Sequence, residues 1–156
     1  MFKNVLFILI FGFILLFTTS YFFFWDKAPE IVEYQSSKLD EKVIYINNLS
    51  LTVEIADEPH EQVQGLSNRD SLDYNQGMLF IFTQPEKPGF WMKDMKFSID
   101  IIWIDENSTI TQITANVSPD TFPQTFLPAS PIKYVLEVNA GWSKENNIKA
   151  GSKMRF

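Results

Sequence analysis

The apolar and polar residues divide the chain into an unbroken apolar start and a longer part of short runs. Residues 4–25 carry no charge, and the stretch "VLFILIFGFILLF" is apolar throughout. An apolar segment of this length can span the hydrocarbon core of a bilayer, about 30 Å. Lys3 precedes the segment and mostly acidic residues follow it. Positive charge marks the cytoplasmic side. We therefore predict a single-pass membrane anchor at 1–25, with a cytoplasmic N-terminus and an extracytoplasmic C-terminal domain.

A cleaved signal peptide is the alternative interpretation of this segment. Thr18, Thr19 and Ser20 offer small residues at which cleavage is feasible. The apolar run continues past them through "YFFFW", which favours a retained anchor, although cleavage stays open. Residues 26–42 are charged and lack sustained periodicity, so we predict a linker between the anchor and the domain.

The remaining residues, 43–156, consist of short runs typical of β-strands. In "LTVEIA" apolar and polar residues alternate, which predicts one buried and one solvated face. The turn sequence "NNLS" separates this run from "VIYI", so that the pair predicts a hairpin. Further strands are predicted at 77–82, 90–92, 97–105, 109–117, 133–139 and 152–156. We therefore predict an all-β domain, either a β-sandwich or a barrel-like antiparallel sheet.

One or two short helices are predicted within this β-domain. "DEPHEQVQGL" has a proline where a first helical turn tolerates it and a glycine where a helix commonly ends. Pro59, Val63 and Leu66 form its apolar side. "GWSKENN" predicts a second short helix. Between them, the four prolines of 118–131 exclude a central strand or a helix interior, so this segment is predicted to be a long loop.

Composition excludes several classes of chemistry. The chain has no cysteine and one histidine, which rules out thiolate catalysis and the usual zinc sites. Its net charge of −6 opposes nucleic-acid binding, because phosphates require a basic face. We predict no cofactor and no metal.

The candidate site lies in "GFWMKDMKFSIDIIWID", where charged residues interrupt an apolar run. Asp100 stands inside this run, and an isolated buried carboxylate is costly. Arg69 can bind a carboxylate through two parallel hydrogen bonds, so we predict an Asp100–Arg69 ion pair. The alternative places Trp91, Lys93, Asp94 and Arg69 around a ligand-binding cleft. Arg69, Trp91, Lys93, Asp94 and Asp100 are therefore the candidate binding residues.

Three functions are consistent with these residues. The favoured one is a membrane-anchored, extracytoplasmic binding or interaction module for an envelope glycan, a small polar ligand or an envelope protein. A hydrolase using Asp94 or Asp100 is the second, although acid and base carboxylates need a defined separation that sequence does not reveal. A purely structural envelope domain is the third.

The motifs "VEIADEPHEQVQGLSNRDSL", "GMLF", "FWMKDM" and "YVLEVNAGW" resemble, in this order, the domain of unknown function 192 family. The matching positions are Gly65, Leu66, Arg69, Gly77, Met78, Phe80, Trp91, Met92, Lys93, Asp100, Glu137, Asn139 and Gly141. The resemblance implies a compact β-domain that is often exported or membrane-anchored, and it implies no activity. The chain departs from the family pattern at Asp94, Met95 and Ser98, where Asn, Thr and Pro are expected. Asp94 therefore lacks the amide donor that Asn would supply.

Overall fold

The computed structural model describes residues 39–156. The predicted anchor at 1–25 and most of the predicted linker at 26–42 lie outside the described residues. In the part of the chain that is described, no helix is long and apolar enough to cross a membrane. The strands are β1 (Glu41–Ile46), β2 (Leu49–Ala56), β3 (Gln76–Glu86), β4 (Ile99–Ile104), β5 (Ile110–Val117), β6 (Ile132–Asn139) and β7 (Met154–Arg155). The helices are α1 (Pro59–Gln64) and α2 (Trp142–Glu145), with a 3-10 turn at Pro119–Thr121.

The seven strands form one curled, mixed sheet shaped as a half-barrel, in the order β5-β4-β6-β3-β2-β1-β7. The predicted β-class with two short helices is confirmed, and the single sheet rules out the β-sandwich. The expectation of a purely antiparallel sheet is wrong, because β2 and β3 run parallel. The segment between them contains α1 and carries the chain back across the sheet, which is how two consecutive strands come to point the same way.

Both faces of the sheet are buried at its centre. One apolar cluster contains Ile102, Leu136 and Trp142, and the other contains Phe80 and Trp103. Every residue of β4 is buried, with successive side chains entering opposite clusters. The continuous apolar run at 77–82 predicts this two-sided burial for β3, and the prediction is confirmed.

The segment between β3 and β4 forms less strand than predicted. Of 90–92, only Phe90 pairs, through two backbone hydrogen bonds of 2.8 and 2.9 Å with Phe126. The backbone then turns sharply at Asp94, whose φ is 57°. Asn and Asp are the residues other than glycine that adopt this left-handed conformation most readily. This explains why an aspartate can replace the asparagine expected there.

One corner of the half-barrel is held by the C-terminal residues. β7 pairs with Tyr45 and Ile46 of β1. Just before β7, the backbone of Ile110 in β5 exchanges hydrogen bonds with Gly151 and Ser152, at 2.8 and 2.9 Å. The two outer strands of the sheet are therefore brought close together at this corner.

Candidate functional site

A cavity of about 320 Å³ lies between α1, the loop that follows β3 and the face of the sheet that carries Phe80 and Glu137. Val63 of α1 and Trp91 of the loop line it and stay 72% and 47% exposed, so they mark its mouth. Phe80 and Phe82 of β3 form its floor. The predicted apolar side of α1 therefore faces a cavity, and only Leu66 among its members enters the core.

Phe80 and Phe90, which form the aromatic wall of the cavity, are held rigidly. The Phe90 ring packs edge-on against Phe80, with ring centroids 4.9 Å apart, and against Trp103 at 5.5 Å. Its backbone is fixed by the pairing with Phe126 described above. Edge-on packing of this kind is favourable for aromatic rings beyond simple burial. The wall is therefore formed before any ligand arrives.

Gly65 lets α1 end directly against the Phe80 ring. Its φ is +49°, and a Cβ atom there would lie 3.3 Å from Cζ of Phe80. Glycine is the residue that accepts such a backbone without strain. The chain can therefore turn from α1 into the following loop while staying next to the cavity floor.

Glu137 provides the cavity with a buried carboxyl group. It lies on β6 between Leu136 and Val138, and its side chain faces the cavity side of the sheet. Glu137 is only 5% exposed, and its carboxylate receives no hydrogen bond from residues 39–156. Burial raises the pKa of this carboxyl to about 8, and the positive charge of Arg69 partly opposes the shift.

Arg69 does not bind Asp100, so the predicted ion pair is wrong. Its two terminal nitrogens donate to the two carboxylate oxygens of Glu54 on β2, at 2.5 and 2.6 Å. This hydrogen bonding is the main reason why the pKa of Arg69 is raised. Arg69 still fixes the loop after α1 to the sheet, as predicted, but through a different strand.

Asp100 is fully buried, as predicted, and its carboxylate binds backbone amides instead of a cation. Oδ1 accepts from the N–H groups of Asn116 and Gly141, at 2.9 and 3.0 Å, and Oδ2 accepts from Ser143 at 3.0 Å. Asn116 lies where the β4–β5 register shifts, and the other two residues begin α2. Asp100 therefore joins three segments of the fold and does not line the cavity.

Of the five predicted binding residues, only Trp91 lines the cavity. Lys93 and Asp94 have exposed side chains and hold the neighbouring loop through their backbone carbonyls, which accept from Ser67 Oγ at 2.9 Å and Asn68 N at 2.8 Å. Neither Asp94 nor Asp100 is placed to act on a ligand in this cavity, so the hydrolase alternative gains no support from the geometry.

Sequence reasoning missed the roles of two acidic residues, Glu137 in the cavity lining and Glu54 as the partner of Arg69. The alternation in "LTVEIA" predicts a solvated position for Glu54, and Glu137 stands out only as part of a family motif. The available signal was the isolated acidic residue within "YVLEVN", because a strand covered on both faces leaves no solvated position for it.

One protein family matches nearly all of the described residues. The family model DUF192, described as "Uncharacterized ACR", matches residues 42–156. This confirms the resemblance seen in the sequence motifs. No curated protein matches the chain.

Two crystal structures share this fold at 28% sequence identity. One is a Sinorhizobium meliloti protein described as a candidate transcription regulator, with a TM-score of 0.73 over 76% of this chain and 95% of that protein. The other is a Novosphingobium aromaticivorans protein of unknown function, with a TM-score of 0.72 over 79% of this chain and 90% of that protein.

Proposed function

The chain belongs to the DUF192 family, and on this premise we propose that its β-domain is a binding module that holds a small ligand in the cavity beside Glu137. The observation that carries the proposal is the buried carboxyl at the floor of a preformed aromatic cavity. Small-molecule sites combine a mostly apolar lining with a few placed polar groups in this way.

The lining favours a small ligand over the other partners considered. A glycan presents many hydroxyl groups, whereas the polar side chains in the lining are few: Gln62, Gln64, Ser67 and Glu137. A protein partner would need a broad surface, whereas this site is concave and small. The S. meliloti protein is described as a candidate transcription regulator. For this chain, the net charge of −6 makes nucleic acid an unfavourable partner.

Val63→Lys should weaken ligand binding without unfolding the domain. The Val63 side chain is mostly exposed at the cavity mouth, so a lysine there obstructs entry and costs the core little. Fragments that bind the detergent-solubilised full chain should be identified by saturation-transfer NMR. We expect their affinity to fall at least about tenfold in the variant.

Val43→Lys is the matched control, because it adds the same charge at an exposed valine outside the cavity. Fragments that bind both variants equally well would place binding elsewhere and contradict the proposal. An envelope glycan or a protein that binds through Trp91 alone, unaffected by lysine at position 63, would also contradict it.

We also propose that residues 1–25 anchor the module on the extracytoplasmic side of a membrane, on the strength of the uncharged run and the acidic flank. A C-terminally tagged chain should remain in the membrane pellet after alkaline washing and retain its original N-terminus. Protease added to spheroplasts should digest the domain. Soluble protein that begins near Tyr21 would show that the segment is a cleaved signal peptide.

A further inference from the structure

Two polar side chains of the cavity lining, Gln62 and Glu137, offer hydrogen-bond acceptors to a ligand. The Gln62 amide nitrogen already donates to the carbonyl oxygens of Ala56 and Ile81, at 3.3 and 3.0 Å. Its own carbonyl oxygen accepts no hydrogen bond from the residues that the structure describes, and neither does the carboxylate of Glu137. A ligand that satisfies both acceptors, with Glu137 ionised, must therefore bring hydrogen-bond donors.

The lining around these acceptors suits a positive charge. Four aromatic side chains line the cavity: Phe80, Phe82, Phe90 and Trp91. The face of an aromatic ring attracts a cation, most strongly when both are removed from water. A cation with an apolar group can use both the acceptors and the aromatic lining, whereas a neutral hydrocarbon can use only the lining.

The charges near Glu137 do not repel such a ligand. Among the residues that line the cavity on α1, β3 and the two loops, Glu137 is the one titratable side chain. The positive charge that acts on Glu137 is that of Arg69, and this charge is already paired with both oxygens of Glu54. When Glu137 ionises, this group of three carries one net negative charge.

We propose that the ligand of this cavity is a protonated amine that carries a small apolar group. Its N–H groups would bind the carboxylate of Glu137 and the free carbonyl oxygen of Gln62, and its apolar part would pack against the aromatic wall. This inference rests on the proposed function and specifies the class of ligand.

Amine binding should be coupled to proton release. In the empty cavity the pKa of Glu137 is about 8, so the carboxyl is mostly protonated at neutral pH. The ammonium group binds the ionised form, so each unit of pH below this pKa should weaken binding by about tenfold. A simple amine remains protonated throughout this range.

The test compares 2-phenylethylamine with 2-phenylethanol, which has the same carbon skeleton and no charge. Calorimetry on the detergent-solubilised full chain at pH 6, 7 and 8 should give an affinity for the amine at least about tenfold above that for the alcohol at pH 8. The preference should decline as the pH falls.

Glu137→Gln should remove both the preference for the amine and its pH dependence. This substitution keeps the size of the side chain, and the neutral amide resembles the protonated carboxyl of the empty cavity. Glu106→Gln is the matched control, because it removes the same charge from an exposed turn. The control should behave as the unmodified chain.

The outcomes separate this inference from the proposed function. The inference that the ligand is an amine is overturned if the alcohol binds as tightly as the amine. It is also overturned if the fragments blocked by Val63→Lys are all neutral. In both cases the cavity remains a binding site. If no fragment sensitive to Val63→Lys exists, both proposals fall. Amine binding that survives Glu137→Gln unchanged would also overturn the inference.

Discussion

Glu137→Gln should raise the free energy of unfolding relative to the unmodified chain, and the difference should grow with pH. We expect this difference to be roughly 3–5 kcal/mol larger at pH 9 than at pH 4. Burial raises the pKa of Glu137 from 4.5 to about 8 in the folded state. Between these two values the folded state holds a proton that the unfolded state has released. The unmodified chain therefore loses stability as the pH rises through this interval, whereas glutamine does not titrate.

Urea unfolding of both chains at several values between pH 4 and 9, without ligand, measures this difference. Comparing the two chains at each pH cancels the contribution of every other ionisable group they share. Glu106→Gln serves again as the control, and its difference from the unmodified chain should stay nearly constant. Parallel stability profiles for Glu137→Gln and the unmodified chain would show that Glu137 titrates as an ordinary exposed carboxyl.

Asp100→Ala should lower the free energy of unfolding by roughly 4–6 kcal/mol. The substitution leaves three backbone N–H groups without their acceptor, and a hydrogen bond to a charged group contributes about 1.5–3 kcal/mol. Asp100→Asn should cost less, roughly 2–4 kcal/mol. The amide oxygen of Asn still accepts hydrogen bonds, whereas its NH2 group is placed against a backbone N–H that also donates. Chemical denaturation measures both values.

Asp105→Ala provides a matched comparison. Its Oδ1 atom also accepts two backbone hydrogen bonds, from Asn107 and Thr109, but in a partly exposed turn where water can replace it. We expect a loss of about 1 kcal/mol there. Similar losses at positions 100 and 105 would show that burial of Asp100 contributes nothing.

Arg69→Ala tests the corrected pairing. Because Arg69 and Asp100 have different partners, their losses should add to within about 0.5 kcal/mol in the double variant. A larger coupling would mean that the two side chains meet after all.

The sequence predicted features that depend on local pattern. The alternation in "LTVEIA" correctly placed a half-buried strand in a hairpin, and the continuous run "GMLFIF" correctly indicated burial on both faces of β3. Residue pattern could not identify the hydrogen-bond partners of Asp100. They are backbone N–H groups, which almost every residue carries, so the sequence does not distinguish them. The pattern therefore pointed to a cation, Arg69, as the partner of Asp100.

The cavity depends on contacts that sequence order conceals. Val63, Phe82, Trp91 and Glu137 come from four separate segments, and only the curvature of the sheet and the crossover through α1 bring them together. Arg69 found its partner on β2, because the parallel pairing of β2 and β3 places Glu54 beside the loop that follows α1. Neither the parallel pairing nor this contact follows from periodicity.

The corner where β7 meets β1 also bears on solubility. An open sheet edge invites strands of other molecules to add to it, and proteins counter this by covering the edge or charging it. Here β7 occupies the edge at Tyr45 and Ile46, while Lys42 places a charge near the start of the same strand. The two residues of β7 thus leave less of β1 open to pairing with a strand of another molecule.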